Sequence, residues 1–292
     1  MANLEHLRLF VEPKSWDAWR QQHPHIMPDL SEVDLSGSKT WTRKLQGVNA
    51  SGSLWHYMNL CDANFDGVLL IGAALSCAFL IDASFEGADL RGVDLFAGMC
   101  SGVNMRTANL QGAFLAAVSM NDAKLCSADL REATLRKAIL ESSDLRGANF
   151  AGVHASECAI YNANVAGADL TGADFRWARL SRTNLLEARN GLDLMHLKLR
   201  GSSLGQTNLR GALMRNMDLR KVSLYQADLR GADLRGADLT KAYFDQTMVA
   251  GALFDDALVD WDRVTRSNDL LTSNEGPYWD DWEKWHQEED AE

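Results

Sequence analysis

Proline is nearly absent from the middle of this chain, where none of the four prolines (13, 24, 28 and 277) falls between 29 and 276. A proline cannot donate a backbone hydrogen bond, so its absence is expected where every unit joins a shared ladder. The five cysteines form no CxxC pair and predict free thiols in a reducing compartment. No apolar run approaches membrane-spanning length, and the N-terminus lacks a secretory signal. We therefore expect a bacterial cytoplasmic protein without membrane contact.

Motifs that would carry catalysis are also missing, since the sequence has no glycine-rich phosphate loop and no HExxH. His23 and His25 form the nearest approach to a metal-ligand pair, but no third ligand accompanies them. His154 and Cys158 lie four residues apart, yet Cys158 falls on an inward position of the repeat described below, which favours a buried, unreactive thiol. The sequence predicts no enzyme, no catalytic residue, no cofactor and no metal.

The formal charge of −11 is concentrated at one end. Residues 255–292 contain 13 acids and 3 bases, whereas residues 1–254 contain 27 acids and 26 bases. Net charge alone therefore makes the body neither a nucleic-acid binder nor an acidic mimic. We expect no direct binding of nucleic acid.

A period of five organises most of the sequence. Every fifth residue from Leu30 to Leu185 is large and apolar at 28 of 32 positions, and all 14 fifth positions from Leu194 to Val259 are apolar. A small residue stands two positions earlier in each unit, and Asp or Asn often stands between the two. Because a helix has 3.6 residues per turn, this spacing would scatter the large residues around a helical surface.

Within a unit the pattern is small inward, polar outward and large inward, which is the alternation of a strand. Two outward residues follow, so the chain must turn a corner once per unit. Of the 22 glycines, 18 lie two residues after the large apolar position, where a tight bend needs unusual backbone angles. The sequence predicts a coil with a packed interior and a hydrogen-bonded wall.

The repeated pattern Ala-(Asp/Asn)-Leu-x-x strongly resembles the pentapeptide-repeat family over roughly residues 28–260. The resemblance implies an all-β solenoid, a right-handed quadrilateral β-helix with one unit per side and four per coil. Some 46 units would make about 11.5 coils, a rod roughly 55 Å long at ~4.8 Å per coil. Representative residues of its core ladder are Leu90, Leu110, Leu130, Phe150, Leu170, Leu209 and Leu229.

Two stretches depart from the rule. Residues 38–58 replace large residues by Thr40 and Ala50 beside Trp55 and Tyr57, which predicts loose first coils or, alternatively, an aromatic patch facing a partner. At 186–193 the register slips, and the spacing appears one residue short of regular, which predicts a local kink or a functional joint.

Both ends are predicted to be short helical caps. Trp16 and Trp19 are candidate packing residues of an N-terminal cap over residues 1–27, followed by the repeats at 28–262. The acidic segment 263–292 carries Tyr278, Trp279, Trp282 and Trp285 at helical spacing. These aromatic residues are candidates for a cap on the last coil or a homodimer contact. Docking onto another protein and a partly disordered tail are the alternatives.

A regular rod without a catalytic cluster acts by offering surface, so we expect a non-enzymatic protein-binding scaffold or regulator. The resemblance implies one specific alternative. Some family members, the fluoroquinolone-resistance Qnr and MfpA types, resemble DNA in width and negative potential, bind type II topoisomerases and protect them from poisons. DNA gyrase or topoisomerase IV is then the partner, although the near-neutral body with its arginines argues against a continuous acidic face. An effector acting at a host membrane is a further alternative.

Overall fold

The computed structural model describes residues 3–11, 13–36, 45–183, 185–189 and 193–260. Its body is a β-solenoid whose successive coils lie parallel to one another. Parallel bridges join residues 20 apart, such as Asp89 with Asn109 and Asn109 with Asp129. Because each unit has five residues, a coil contains four units and therefore four sides.

Each unit repeats the same hydrogen bonds. The Leu90 N–H donates to the Asn109 carbonyl of the next coil at 2.7 Å, and the Asp89 N–H donates to the Val68 carbonyl of the previous coil at 2.9 Å. The Ala88 N–H donates to the Phe85 carbonyl at 3.1 Å, which closes a four-residue turn at the corner. The wall is therefore built from single parallel bridges between tight turns. Two short parallel strands, β1 (Asp238–Leu239) and β2 (Leu258–Val259), occur among the last described coils.

The second corner residue of each unit has a left-handed backbone. Glycine fills the position in many units, for example Gly87 with φ of 65° and Gly112 with φ of 65°. Other residue types adopt the same angles elsewhere, including Thr107 with φ of 55° and Ala117 with φ of 56°. The glycines two positions after the large residue therefore have the conformational role that the sequence predicts for them.

The interior contains the large residues and the small residues of every unit. The seven representative core positions are all buried, with five of them on one bridged side and Leu209 and Leu229 on another. The rings of Phe65 and Phe85 stack one coil apart at 4.6 Å. Polar residues at inward positions bond to backbone carbonyls, as Ser143 Oγ does to Met120 O at 2.8 Å. Their burial is therefore compensated.

Two helices precede the solenoid, α1 (Leu4–Val11) and α2 (Pro13–Gln22). The side chain of Asn3 accepts from the Glu5 N–H at 2.9 Å and so begins α1. The helices contact the first coils through backbone groups, because the Asp29 N–H donates to His6 Nδ1 at 3.0 Å and an Arg20 guanidinium nitrogen donates to Gln46 O at 2.7 Å. The sequence suggested a single helix beginning near Lys14 and did not indicate α1. No helix within the described ranges has the length and hydropathy needed to cross a bilayer.

Trp55 occupies an inward position and is fully buried. Its ring meets Phe10 of α1 at 6.4 Å and Phe65 of the next coil at 6.0 Å, both edge-on. Trp55 therefore belongs to the core between the helices and the first coils, whereas the neighbouring Tyr57 is 72% exposed. Residues 37–44 of the irregular stretch lie outside the described residues.

The register slip at 186–193 adds residues, so the expectation of a coil one residue short was wrong. Asp174 pairs with Lys198 and Arg179 pairs with Ser203, a separation of 24 residues instead of 20. The coil therefore has four residues more than a regular coil. A 3₁₀ turn spans Leu185–Glu187, and the Arg189 N–H still donates to Ala168 O at 2.7 Å in the regular register. The extra residues thus enter after Arg189, before Asp193 resumes pairing with Leu213.

Candidate protein-binding surface

The middle outward residue of each unit aligns with those of the coils above and below. We number the four sides by these columns: side 1 carries Asp89, side 2 carries Asp94, side 3 carries Met99 and side 4 carries Asn104. The two corner residues of each unit separate one side from the next. The backbone is nearly identical throughout, so the outward columns and the corners contain what is particular to this protein.

Large apolar side chains are exposed on sides 2 and 3 and on the corner between them. We call this surface the apolar strip, and it consists of Leu54, Tyr57, Phe79, Phe96, Met99, Phe114 and Ile139. Phe79 and Met99 are bridged neighbours in the column of side 3. The rings of Phe96 and Phe114 stack at 5.9 Å. Met99 is 45% exposed although every core residue of its coil is buried. The strip is therefore a continuous surface rather than a set of isolated residues.

Charge is almost absent from this region. Between residues 54 and 119, the outward positions of sides 2 and 3 and their shared corner contain one acid, Asp94, and no Lys or Arg. The Asp94 carboxylate accepts from Ser76 Oγ at 2.6 Å and from the Phe96 N–H at 2.9 Å. Its hydrogen-bonding capacity is thus used partly within the wall, which reduces its competition with the surrounding apolar surface.

A row of acids borders the strip on the corner between sides 3 and 4. Asp62, Asp82 and Asp122 are exposed there, and no salt bridge between described residues involves them. The third position of the row is Gly102, over which the Asp82 carboxylate lies, because an added Cβ at this glycine would overlap Asp82 Oδ1. This border is therefore negatively charged.

On other sides, aspartates are paired with arginines two residues ahead in the same unit. Asp89 accepts from Arg91, Asp129 from Arg131 and Asp228 from Arg230, each with a closest N–O distance of 2.6–2.7 Å. The aspartates also accept from the backbone N–H of the corner, which is one of the roles that the sequence predicts for them. The arginine hydrogen bond is the main cause that lowers the pKa of these carboxyls below the usual value.

The same pairing is dense after residue 193. Arg220 binds Asp218 at 2.7 Å, and Asp233 binds both Arg235 of its own unit and Arg215 of the previous coil. The hydrogen bonds from Arg235 and then Arg215 hold the pKa of the Asp233 carboxyl well below its ordinary value. Arginines one coil apart are therefore accompanied by carboxylates, and the local charge of this wall is close to neutral.

The predicted N-terminal packing residues lie where the helices meet the core. Trp16 is fully buried and meets Phe10 edge-on at 5.2 Å. Trp19 stacks on Trp16 at 6.2 Å and on His23 at 4.9 Å. The candidate aromatic residues of the C-terminal segment, Tyr278, Trp279, Trp282 and Trp285, lie outside the described residues.

The chemical candidates do not converge on a site. His23 Nδ1 lies 3.0 Å from the Trp19 carbonyl oxygen, and no group of three or more His, Cys, Asp or Glu within the described ranges is arranged to hold a metal. Cys158 is buried, and burial raises the pKa of its thiol to about 12, so it is not a thiolate at neutral pH.

Sequence reasoning missed the apolar strip, although part of its signal is visible. Phe79, Met99 and Phe114 stand at the middle outward position, where Asp or Asn is usual. Each departure looks isolated along the chain, since the residues are 15 or 20 positions apart. Only the 20-residue coil brings them together.

The chain matches the sequence profile of pentapeptide repeats in eight copies, over residues 63–97, 100–136, 115–152, 148–185, 198–236 and 218–256. These matches cover more than half of the 292 residues, so the chain belongs to the pentapeptide-repeat family and has its right-handed β-helical fold. Proteins of this family are generally structural or interaction proteins and not enzymes. No curated protein matches the sequence directly.

Among solved structures, the chain is similar to HetL, a pentapeptide repeat protein involved in heterocyst differentiation regulation in the cyanobacterium Nostoc, at 22% identity and a TM-score of 0.41. That match covers 83% of this chain and 93% of HetL. It is also similar to trypsin-treated QnrB1, a plasmid-mediated fluoroquinolone resistance protein, at 19% identity and a TM-score of 0.34 over 71% of this chain and 89% of QnrB1.

Proposed function

We propose that this protein is a non-enzymatic binding scaffold whose partner protein docks on the apolar strip. The supporting observation is the exposure of Phe79, Phe96, Met99 and Phe114 as one patch on a wall that is otherwise polar. Large contiguous apolar patches on soluble proteins mark interaction sites, because leaving them in water costs about 25 cal/mol per Å². Aromatic residues and Met are also enriched at protein interfaces, whereas charge is depleted at their centres.

A site-specific photo-crosslinker tests this proposal. The crosslinking residue replaces Phe96 in the strip, and the matched control replaces Arg106, an exposed corner residue between sides 4 and 1 of the next coil. In cells of the source organism, the Phe96 site should give a discrete crosslinked protein that the Arg106 site does not give. Adding Phe79→Ser and Met99→Ser should abolish that band. Identical bands from both sites would contradict docking on the strip.

A second candidate function is binding of a type II topoisomerase by DNA mimicry. The exposed acids Asp62, Asp82 and Asp122 favour it, since they form a row along one corner with steps of one or two coils, ~5 to ~10 Å. The neutralised Asp–Arg pairs elsewhere argue against a continuous acidic face. Titration of the protein into a DNA gyrase supercoiling assay, with and without a fluoroquinolone, decides the matter. Inhibition or drug protection that is lost in Asp82→Asn, Asp122→Asn would support mimicry, and no effect at micromolar protein would exclude it.

We further propose three segments: a helical cap at 1–27, the repeats at 28–262 and an acidic C-terminal segment at 263–292. Tyr278, Trp279, Trp282 and Trp285 would cap the last coil or join two copies. Sedimentation of the full chain and of its Trp279→Ala, Trp282→Ala, Trp285→Ala variant separates these roles. A dimer that becomes a monomer supports the contact, whereas a monomer with reduced thermal stability supports the cap. An unchanged monomer of unchanged stability would contradict both.

A further inference from the structure

We infer that the apolar strip is shaped and charged to receive an amphipathic helix of about 13 residues that carries Lys or Arg along one edge. This inference rests on the proposed function, because it names the chemistry of the partner that docks on the strip. Three properties of the described residues support it: the length of the strip, the arrangement of large and small side chains, and the unequal charge of its two borders.

The length of the strip matches a short helix. It runs from the coil of Leu54 to the coil of Ile139, which are four coil steps apart. At ~4.8 Å per step the strip is about 19 Å long. A helix rises 1.5 Å per residue, so about 13 residues cover the same distance. The strip ends at Arg136 and Lys137, which bind Glu157 at 2.8 and 3.3 Å and close the uncharged region.

The side chains leave a line of small residues for the helix to follow. Cys77, Ala97 and Ala117 stack along the corner between sides 2 and 3. Large side chains stand on both sides of that line, Phe96 and Phe114 on one and Phe79 and Met99 on the other. An apolar helix face that carries Leu at i, i+3, i+4 and i+7 can pack along such a line between two ridges.

The two borders of the strip differ in charge. On the side 3 border, Asp62, Asp82 and Asp122 have no ion pair among the described residues. On the side 1 border, Arg91 and Arg131 are the bases, and each is bound by the aspartate of its own unit. The net field at the strip is therefore negative along one edge and weak along the other, which complements a helix with basic residues on one edge.

Three dye-labelled 14-residue peptides test the inference against the purified full chain by fluorescence anisotropy. All have the same Leu face, and the edge positions are Lys, Gln or Glu. The Lys peptide should bind most tightly and weaken as salt rises, because the border acids are exposed. Phe96→Ser, Met99→Ser should weaken its binding more than tenfold. Asp82→Asn, Asp122→Asn should weaken it by roughly 3–10-fold, as expected for two exposed ion pairs.

The matched control for net charge is Asp255→Asn, Asp256→Asn, which removes two acids far from the strip. Asp256 has the same left-handed backbone as Asp82 and Asp122, with φ of 58°, so the substitution is alike in geometry. Affinity for the Lys peptide should stay within twofold of the original chain. Circular dichroism confirms that each variant keeps the fold.

Several outcomes would overturn the inference. Equal binding of the Lys, Gln and Glu peptides would show that the acids do not select, and equal loss in both Asn variants would reduce the effect to net charge. Binding of no peptide, with concentration-dependent dimerisation that Phe96→Ser, Met99→Ser abolishes, would assign the strip to a second copy of the chain. In each case, a discrete crosslink at position 96 to another protein would leave the proposed function standing, whereas its absence would remove both.

Discussion

Two parts of the solenoid, residues 54–119 and residues 193–253, share a backbone but differ in their walls. The Leu90 N–H donates across coils at 2.7 Å in the first part, and the Leu229 N–H does so at 2.8 Å in the second. Side 2 of the first part exposes Phe114, whereas the same side of the second part carries Asp218 bound to Arg220. The inward residues thus satisfy one requirement throughout, and the outward residues are free to diverge.

This difference indicates how a repeat fold can acquire a site without changing its scaffold. Substitution of an outward Asp by Phe or Met removes a local ion pair that contributes little, because exposed pairs are worth about 0–1 kcal/mol. The wall bonds remain, since they are made by the backbone. The apolar strip and the paired wall are therefore two surface chemistries on one core, and the following predictions test that separation.

The largest effect is expected in the core, where both parts should respond alike. Leu110→Ala and Leu229→Ala each remove a fully buried side chain. Each should lower the free energy of unfolding by about 2–5 kcal/mol through lost burial and a residual cavity. Urea denaturation followed by circular dichroism measures this, with Gln111→Ala as an outward control that stays within about 0.5 kcal/mol. A cost near zero in one part would mean that the cores are not equivalent.

A corner glycine should separate the two parts. Gly201 has φ of 69°, and a Cβ there would overlap the ring of Trp177 from the previous coil. Gly112 in the first part has φ of 65° with nothing within 4 Å of an added Cβ. Gly112→Ala should cost about 1–2 kcal/mol from the left-handed backbone alone. Gly201→Ala should cost more in the same urea experiment.

Removal of the ring provides the control for this glycine. If the excess comes from Trp177, then adding Gly201→Ala to a Trp177→Ala chain should cost no more than Gly112→Ala costs in the original chain. An excess that persists without the ring would show that the close approach of Trp177 is not its cause.

Substitution of glycine at two left-handed positions should have opposite signs. Thr107 is β-branched at φ of 55°, so Thr107→Gly should raise thermal stability by up to about 1 kcal/mol. Gln226 has φ of 56°, but its side-chain amide bonds Gln206 at 2.7 Å and Gln246 at 2.6 Å in the adjacent coils. Gln226→Gly should therefore be neutral or destabilising, because about 1 kcal/mol per lost bond offsets the relief. Equal stabilisation at both sites in calorimetry would show that the amide ladder contributes nothing.

The smallest effect is expected from acid. Arginine hydrogen bonds lower the pKa of Asp218 and Asp228 in the folded chain below the unfolded value near 3.9. Their stabilising contribution is full above about pH 4 and is lost as pH falls through the folded pKa. Asp218→Asn, Asp228→Asn should therefore reduce the decrease in Tm between pH 6 and pH 3 by roughly 1–3 °C.

The control for the acid experiment uses outward residues of the first part that do not titrate. Asn104→Ser, Asn109→Ser removes polar side chains from the same kind of position and should leave the dependence of Tm on pH unchanged. A variant with Asp218 and Asp228 replaced that loses as much Tm on acidification as the original chain would show that these pairs do not support the second part.

The period of five could be predicted to specify the wall, the core and the corners, because each depends on inward size or backbone angle within one unit. The coil length came only from the family resemblance, and the strip depends on it: Phe79 and Met99 become neighbours because they are 20 residues apart. Arithmetic also fails at residues 186–193. A loss of one residue and a gain of four leave the same downstream phase in a period of five, so hydrogen bonds alone distinguish them.

The 24-residue coil has a consequence for how such a chain can lengthen or shorten. Asp174 remains above Lys198 across the insertion, so the four sides keep their identity on both flanks of the extra residues. Deletion of one pentapeptide would act differently, since it would rotate everything downstream by a quarter turn about the axis while preserving every core contact type. In this geometry, twenty is the smallest duplication that preserves the compass bearing of a surface, and shorter steps turn one half of the rod relative to the other.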